Sequence, residues 1–163
     1  IKIKKIYKAL NNRYGIGLEF QVTNDSAKTA DGSYSIIAVS NIKAHTQEEK
    51  RFLMSSALLN GKQIKNRPAN VKAGKSYAGA LDWVALQNKY FSLSVKPYQN
   101  VANLTVSQEY HDSNPNICME LQAENFSLAP GEKISHQFIL YSGPLDYDLM
   151  SAFQAGIEQS IDY

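Results

Sequence analysis

The sequence predicts an all-β sandwich of mainly antiparallel strands with a C-terminal α-helix, on three observations. Apolar residues alternate with a period of two through most of the chain. The alternating segments are separated by Gly, Pro and Asn turn clusters such as "NGK", "HDSNPN" and "APGEK". Helical periodicity is concentrated at the C-terminal end. With 163 residues, 44% hydrophobic and 20% charged, the chain is sized for one domain with its own core.

Taken in order, "YGIGLEFQVTN" (Tyr14–Asn24) places Tyr14, Ile16, Leu18, Phe20 and Val22 on one side and Gly15, Gly17, Glu19, Gln21 and Thr23 on the other. That is the pattern of a half-buried strand. "DSAKTADGS" is a polar loop with an Asp31-Gly32 turn signal, and "SYSIIAVSN" is the next strand, expected antiparallel to the first. In "AHTQEEKRF", the Thr46 to Glu49 spacing caps a single helical turn and not a full helix. "RFLMSSALL", "WVALQNKYFSLSVKP", "VANLTVSQEY", "NICMELQAENFSL" and "KISHQFILYS" are further strands. Within Asp82–Pro97, Trp83, Ala85 and Gln87 share one face and Val84 and Leu86 the other, as expected of a strand covered on both sides.

The last segment differs. Leu145, Leu149, Phe153, Ile157 and Ile161 fall at successive i+4 positions, which gives a helix one apolar stripe. Pro144 suits the first turn, and Asp146 and Asp148 lie near the positive end of the helix dipole. Gly156 weakens the helix by about 1 kcal/mol relative to Ala, or else permits close packing or a bend. The division expected is therefore a sandwich over 1–142 and a helix over 143–163.

Charge is unevenly spread. Residues 1–75 hold 14 Lys/Arg against 5 Asp/Glu, and residues 76–163 hold 3 against 10, within an overall net charge of +2. The lysines of the first half are scattered over strands and turns without interleaved aromatics, so nucleic-acid binding is not expected. Cys118 is the only cysteine, which excludes an internal disulfide and a Cys-based metal site. Aliphatic runs such as Ile36–Val39 fall far short of the ~20 residues of a membrane span, so the chain by itself is expected to be soluble. It starts "IKIKKIYK", without an initiator Met or a leader, and its ends are expected to be boundaries within a longer protein.

Catalytic chemistry has few candidates. His45, His111 and His136 are far apart in sequence, with no metal-ligand spacing. His111-Asp112 in "EYHDSNPN" is the best acid/base pair, but Asp, Ser, Asn and Pro are also what a plain turn requires, and the turn is preferred. Sequons at Asn24, Asn103 and Asn125 are short enough to arise by chance. Trp83, Tyr90 and Phe91 form the densest aromatic stretch; core packing is preferred, with a platform for sugar or peptide as the alternative. No phosphate loop, nucleophile elbow or metal motif is present. No catalytic, cofactor or metal residue is expected.

Three stretches together resemble one family. "DWVALQNKYFSLSVKP", "AENFSLAPGEKISHQFILYSGP" and "GPLDYDLMSAFQAGIEQSIDY" occur in this order over residues 82–163. They are similar to a signature strand pair, the last hairpin and the terminal helix of the periplasmic domain of YidC, the bacterial membrane protein insertase family. "RYGIGLEFQVTN" and "GKSYAGALDW" add a weaker match in the first half. The resemblance implies a β-supersandwich of the galactose-mutarotase-like type, facing the periplasm and anchored in the inner membrane. It also implies that the helix leads to the first transmembrane helix of the insertase core. Implied partners are Sec translocon components, nascent membrane proteins and the remainder of the insertase in the membrane. The insertase groove lies outside this chain, so none of its residues carries over.

The resulting expectation is a non-catalytic module, with Leu145, Leu149, Phe153 and Ile157 as candidate helix-docking or interaction residues. The absence of Lys and Arg after Lys133 agrees with a segment on the non-cytoplasmic side. The alternatives are a carbohydrate-binding or mutarotase-like sugar-converting domain using His111, and a spacer whose fold matters only for geometry.

Overall fold

The computed structural model describes residues 1–161 and contains two packed sheets. Strands are numbered in chain order. The larger sheet has seven: β1 (Lys2–Ala9), β2 (Gly15–Thr23), β13 (Lys133–Pro144), β9 (Phe91–Pro97), β8 (Leu81–Gln87), β5 (Met54–Leu59) and β6 (Lys62–Asn66), side by side in that order. The smaller has four: β4 (Ser35–Ser40), β11 (Asn114–Ala123), β10 (Val101–His111) and β7 (Lys75–Tyr77). A two-stranded ribbon pairs β12 (Phe126–Leu128) with β3 (Ala30–Gly32). Neighbouring strands are antiparallel in both sheets. Among the described residues, helical structure is limited to α1 (Gln47–Arg51), α2 (Tyr147–Ser151) and 3-10 turns at Pro68–Val71 and Ile157–Ser160.

Local chemistry sets the turns. Asn60 and Gly61, between β5 and β6, and Asp112 and Ser113, between β10 and β11, all have positive φ. Two-residue hairpins need this conformation to match the right-handed twist of their strands. At α1, Thr46 Oγ1 accepts from Glu49 N at 3.1 Å, while Glu49 Oε2 accepts from His45 N at 2.7 Å. Both ends of the expected capping spacing are therefore engaged. The segment "WVALQNKYFSLSVKP" is two strands and not one. Asn88 Oδ1 accepts from Tyr90 N and Phe91 N, each at 2.8 Å, and so turns the chain between β8 and β9.

The strand "SYSIIAVSN" does not pair with β2. Both edges of β2 are taken, by β1 and β13, and the chain passes through β3 into the smaller sheet, where β4 pairs with β11. Asn24 fixes the end of β2: its buried amide donates to the Lys28 and Leu128 carbonyls at 2.7 and 2.8 Å. That role places the Asn24 sequon in the interior.

The main core lies between the sheets. Phe20, Val22, Val84, Leu86, Val95 and Phe138 of the larger sheet meet Val39, Leu104, Val106, Ile117, Met119 and Leu121 of the smaller one. Trp83 and Ala85 point the other way, into a second buried cluster on the outer face. As the alternation through Trp83, Val84, Ala85 and Leu86 anticipates, β8 is covered on both sides.

Candidate functional site

The outer face of the larger sheet would be solvated in a plain two-layer sandwich. Here its centre is covered by the C-terminal segment. Trp83, Ala85 and Tyr141 of the sheet and Met150, Ala155 and Ile157 of the segment form one buried cluster, with Tyr14, Leu58, Leu145, Phe153 and Ile161 packed around it.

The C-terminal helix is present but short, and the apolar stripe is not carried by one helix over 143–163. Strand β13 continues through Pro144, so this proline ends a strand instead of opening a helix. Asp146 is the N-cap of α2, its carboxylate accepting from Leu149 N at 2.9 Å. Left-handed residues at Gln154 (φ 51°) and Gly156 (φ 74°) then redirect the chain. The physical reason is the shape of the target: Tyr141, Ala85 and Trp83 offer contacts that the segment meets by folding back on itself. Leu145 N donates to the Tyr90 carbonyl at 2.7 Å at the start. Near the end of the segment Gln63 Nε2 donates to Gln159 O at 3.1 Å. On return Ser160 Oγ accepts from Gln87 Nε2 at 2.5 Å and donates to Ile157 O at 2.7 Å. The expected Asp162-Tyr163 ending lies outside the described residues.

Of the four stripe residues, Ile157 is buried, and Leu145 and Phe153 are half-buried against the cluster. Leu149 is half-buried outside it, and Met150 occupies the inward position instead. The Phe153 ring meets the Tyr141 ring edge-on at 5.1 Å between centres, and Tyr14 lies 6.1 Å from Tyr141 on another side. Tyr141 Oη donates to Pro144 O at 2.6 Å. Burial, with a smaller contribution from the Asp146 carboxylate, pushes the Tyr141 phenol up to about 12.

Two glycines make this packing possible. A Cβ on Gly15 would lie 2.0 Å from the Phe153 ring, and one on Gly143 would lie 2.7 Å from the Tyr14 ring. Sequence reasoning missed Gly15, Gly143, Tyr14, Tyr141 and Met150. Their signal, glycines inside strands beside aromatics, marks close approach without naming what approaches.

The three histidines do not meet at one site: His45 and His111 line one depression and His136 lies apart. His111 and Asp112 are exposed on a hairpin, with Nε2 and Oδ2 3.7 Å apart, and the pair forms a turn. His111 shares a depression of about 260 Å³ with His45, Lys43 and Lys50. His136 is elsewhere, its Nδ1 hydrogen-bonded to Tyr34 Oη. Among the described residues no group of three or more His, Cys, Asp or Glu side chains is placed to hold a metal ion. Tyr90 and Phe91, expected in the core, are each 52% exposed, because Tyr90 sits in the Asn88 turn and Phe91 at the very start of β9, at the end of the sheet.

Burial pushes the His136 imidazole below its ordinary value, partly offset by the Glu124 carboxylate. The unfolded chain binds this proton near pH ~6.5 and the folded chain only at lower pH, so protonation favours unfolding. The contribution is complete above that pH and is lost as pH falls through the folded value. Thermal melts are expected to hold level from pH ~8 to ~7 and to drop below ~6.5, with the drop reduced in His136→Gln. Glu19, lowered to about 2 by hydrogen bonds from Ser135, Gln21 and Lys8, titrates outside this window. An equal drop in the variant would remove His136 as the cause.

Two antiparallel sheets with this connectivity define a β-sandwich of the galactose-mutarotase-like class. The structure is similar to a galactose mutarotase related enzyme from Lactobacillus acidophilus, with a TM-score of 0.63 at 13% identity over 86% of this chain and 60% of that one. It is also similar to a putative aldose 1-epimerase from Escherichia coli K12, with a TM-score of 0.56 at 9% identity over 87% of this chain and 60% of that one. At these identities the likeness is one of fold alone.

The family model for the YidC periplasmic domain matches residues 1–163, and the chain belongs to that family. Membrane protein insertase YidC of Geotalea daltonii is 26% identical over 164 residues, covering 99% of this chain and 30% of the relative. The insertase of Chlorobium luteolum is 29% identical over 170 residues, covering 99% and 28%. The chain thus spans under a third of the length of these curated relatives. Among the described residues no helix is long and apolar enough to cross a membrane.

Proposed function

We propose that this chain is a non-catalytic periplasmic module of an inner-membrane protein insertase, and that segment 145–161 couples the sandwich to the membrane-embedded remainder. The observation that carries the reading is the second buried cluster: the segment folds back over the sheet around Trp83, Tyr141 and Ile157 and ends fastened to Gln87. A loose linker has no need of its own core. A docked segment, by contrast, transmits the orientation of the sandwich to whatever follows it. The module acts by contact, with nascent membrane proteins and Sec translocon components as its partners.

The exposed turn geometry of His111-Asp112, with His136 engaged elsewhere by Tyr34, supports this over sugar conversion, which needs an acid and a base facing one ring. The test replaces Phe153 and Ile157 by serine in the full-length protein and follows insertion of a reporter membrane protein in cells depleted of their own insertase. Reduced insertion with normal protein levels is expected. Wild-type insertion by the double variant would refute the coupling role, and saturable mutarotation activity lost in His111→Ala would establish the sugar-converting alternative.

A further inference from the structure

One end of the sandwich carries an uncovered aromatic rim. Phe52 follows α1, Tyr90 lies in the β8–β9 turn, Phe91 opens β9, and Tyr147 opens α2; the four are each between 49% and 52% exposed. Lys89 Nζ lies 5.8 Å from the centre of the Phe52 ring and 5.4 Å from that of Tyr90, so one ammonium joins two of the rings. Its charge is met by Glu48 at 2.7 Å. Around it, α1 carries Lys50 and Arg51 together with Glu48 and Glu49, Lys43 lines the same depression as Tyr90 and Phe91, and α2 begins with Asp146 and Asp148, so positive and negative groups balance. The rim is therefore aromatic with little net charge. Single exposed apolar residues are ordinary, but rings gathered on one edge mark a contact surface.

The path of the chain says what lies opposite. Segment 145–161 starts at this rim, where Leu145 N meets Tyr90 O. It also returns there, since Ser160 is held by Gln87, the residue before Asn88 and the turn. Whatever follows Ile161 sets out from the same edge, and the curated relatives are more than three times as long as this chain. On the reading above, in which that continuation enters the membrane, the rim faces the bilayer. Tyrosine and phenylalanine rings with a lysine stem are the side chains that settle at the level of lipid headgroups, apolar body inward and polar tip in water.

We propose that Phe52, Tyr90, Phe91 and Tyr147 form a foot that rests on the headgroup layer of the bilayer, engaging neutral phospholipid through the rings and not anionic lipid through charge. The foot fixes the height and tilt of the sandwich above the membrane. The chain, tethered by a C-terminal hexahistidine tag to phosphatidylcholine vesicles bearing a nickel-chelating lipid, provides the test. Tyr90→Trp and, separately, Phe91→Trp report local polarity against the constant signal of the buried Trp83; Ile37→Trp, exposed on β4, is the control.

Blue-shifted emission and quenching by brominated acyl chains are expected for the two rim variants and not for the control. The shift is expected to be unchanged when phosphatidylglycerol is added to the vesicles and when salt is raised, because few charges are involved. No shift in either folded rim variant, or a shift equal to that of the control, overturns the proposal and leaves the rim to a protein partner. A shift that requires phosphatidylglycerol and disappears in salt overturns it in favour of electrostatic adsorption. The tether supplies the bilayer whether or not the native chain continues into one, so a negative result leaves the insertase reading to its own assay.

Discussion

Trp83→Ala lowers the unfolding free energy by about 3–5 kcal/mol, while Trp83→Phe lowers it by no more than about 1.5 kcal/mol. Trp83 is 1% exposed and sits between the outer face of β8 and the returning C-terminal segment. Truncation to Ala opens a cavity beneath Met150 and Ile157, which the stiff sheet cannot close. Retaining a phenyl ring preserves most of the contact. The indole adds little beyond its size, because Trp83 Nε1 has no hydrogen-bond partner among the described protein atoms; a buried donor without a partner is itself unfavourable. Urea unfolding of the two variants decides the point. Equal losses would show that the indole N–H is engaged, and the account of this cluster would be wrong. Trp83→Ala should also expose residues 145–161 to protease at denaturant concentrations where the main core still holds, since the segment loses its largest contact and β8 keeps Val84 and Leu86 on the other side.

The elements legible in the sequence are those whose pattern reports burial by itself. Strand β2 shows Phe20 and Val22 on one face because that face meets the second sheet. The hairpin at Asn60-Gly61 is legible because left-handed backbone selects those residues. "IKIKKIYK" was silent: β1 is an edge strand with most side chains in water, so its alternation of Ile and Lys encodes no buried face. The C-terminal stripe misled in an instructive way. Leu145, Phe153, Ile157 and Ile161 do share one cluster, but by folding back, and the left-handed Gln154 that permits this is a residue whose type gives no warning. The outer-face partners were hidden for a related reason. Tyr141 and Tyr14 are ordinary strand and turn residues until the chain that covers them is in place, and that contact joins positions far apart in sequence. Family resemblance pointed to a membrane protein insertase where residue chemistry offered only an exposed His111-Asp112 turn and a separate His136.

Gly15→Ala is the substitution whose sign separates docking from local preference. In a strand, replacing glycine by alanine ordinarily helps by about 0.5–1 kcal/mol, because less chain freedom is lost on folding. At Gly15 the added Cβ would lie 2.0 Å from Phe153 Cε1 and 2.5 Å from Cζ, with Leu10 at 3.2 Å. The Phe153 ring cannot swing aside freely, since it packs edge-on against Tyr141 at 5.1 Å. The expected result is a loss of about 1–3 kcal/mol, the scale of overpacking in a filled site. The conflict is with one ring, so it should vanish when the ring is absent. In a Phe153→Ala background, Gly15→Ala is expected to be neutral or stabilising, which gives a coupling of the order of 1–3 kcal/mol in the double-mutant cycle. Additive effects of the two substitutions would mean that Phe153 does not rest on β2 in solution. The docked path of residues 145–161, and with it the coupling role drawn from that path, would then have to be abandoned.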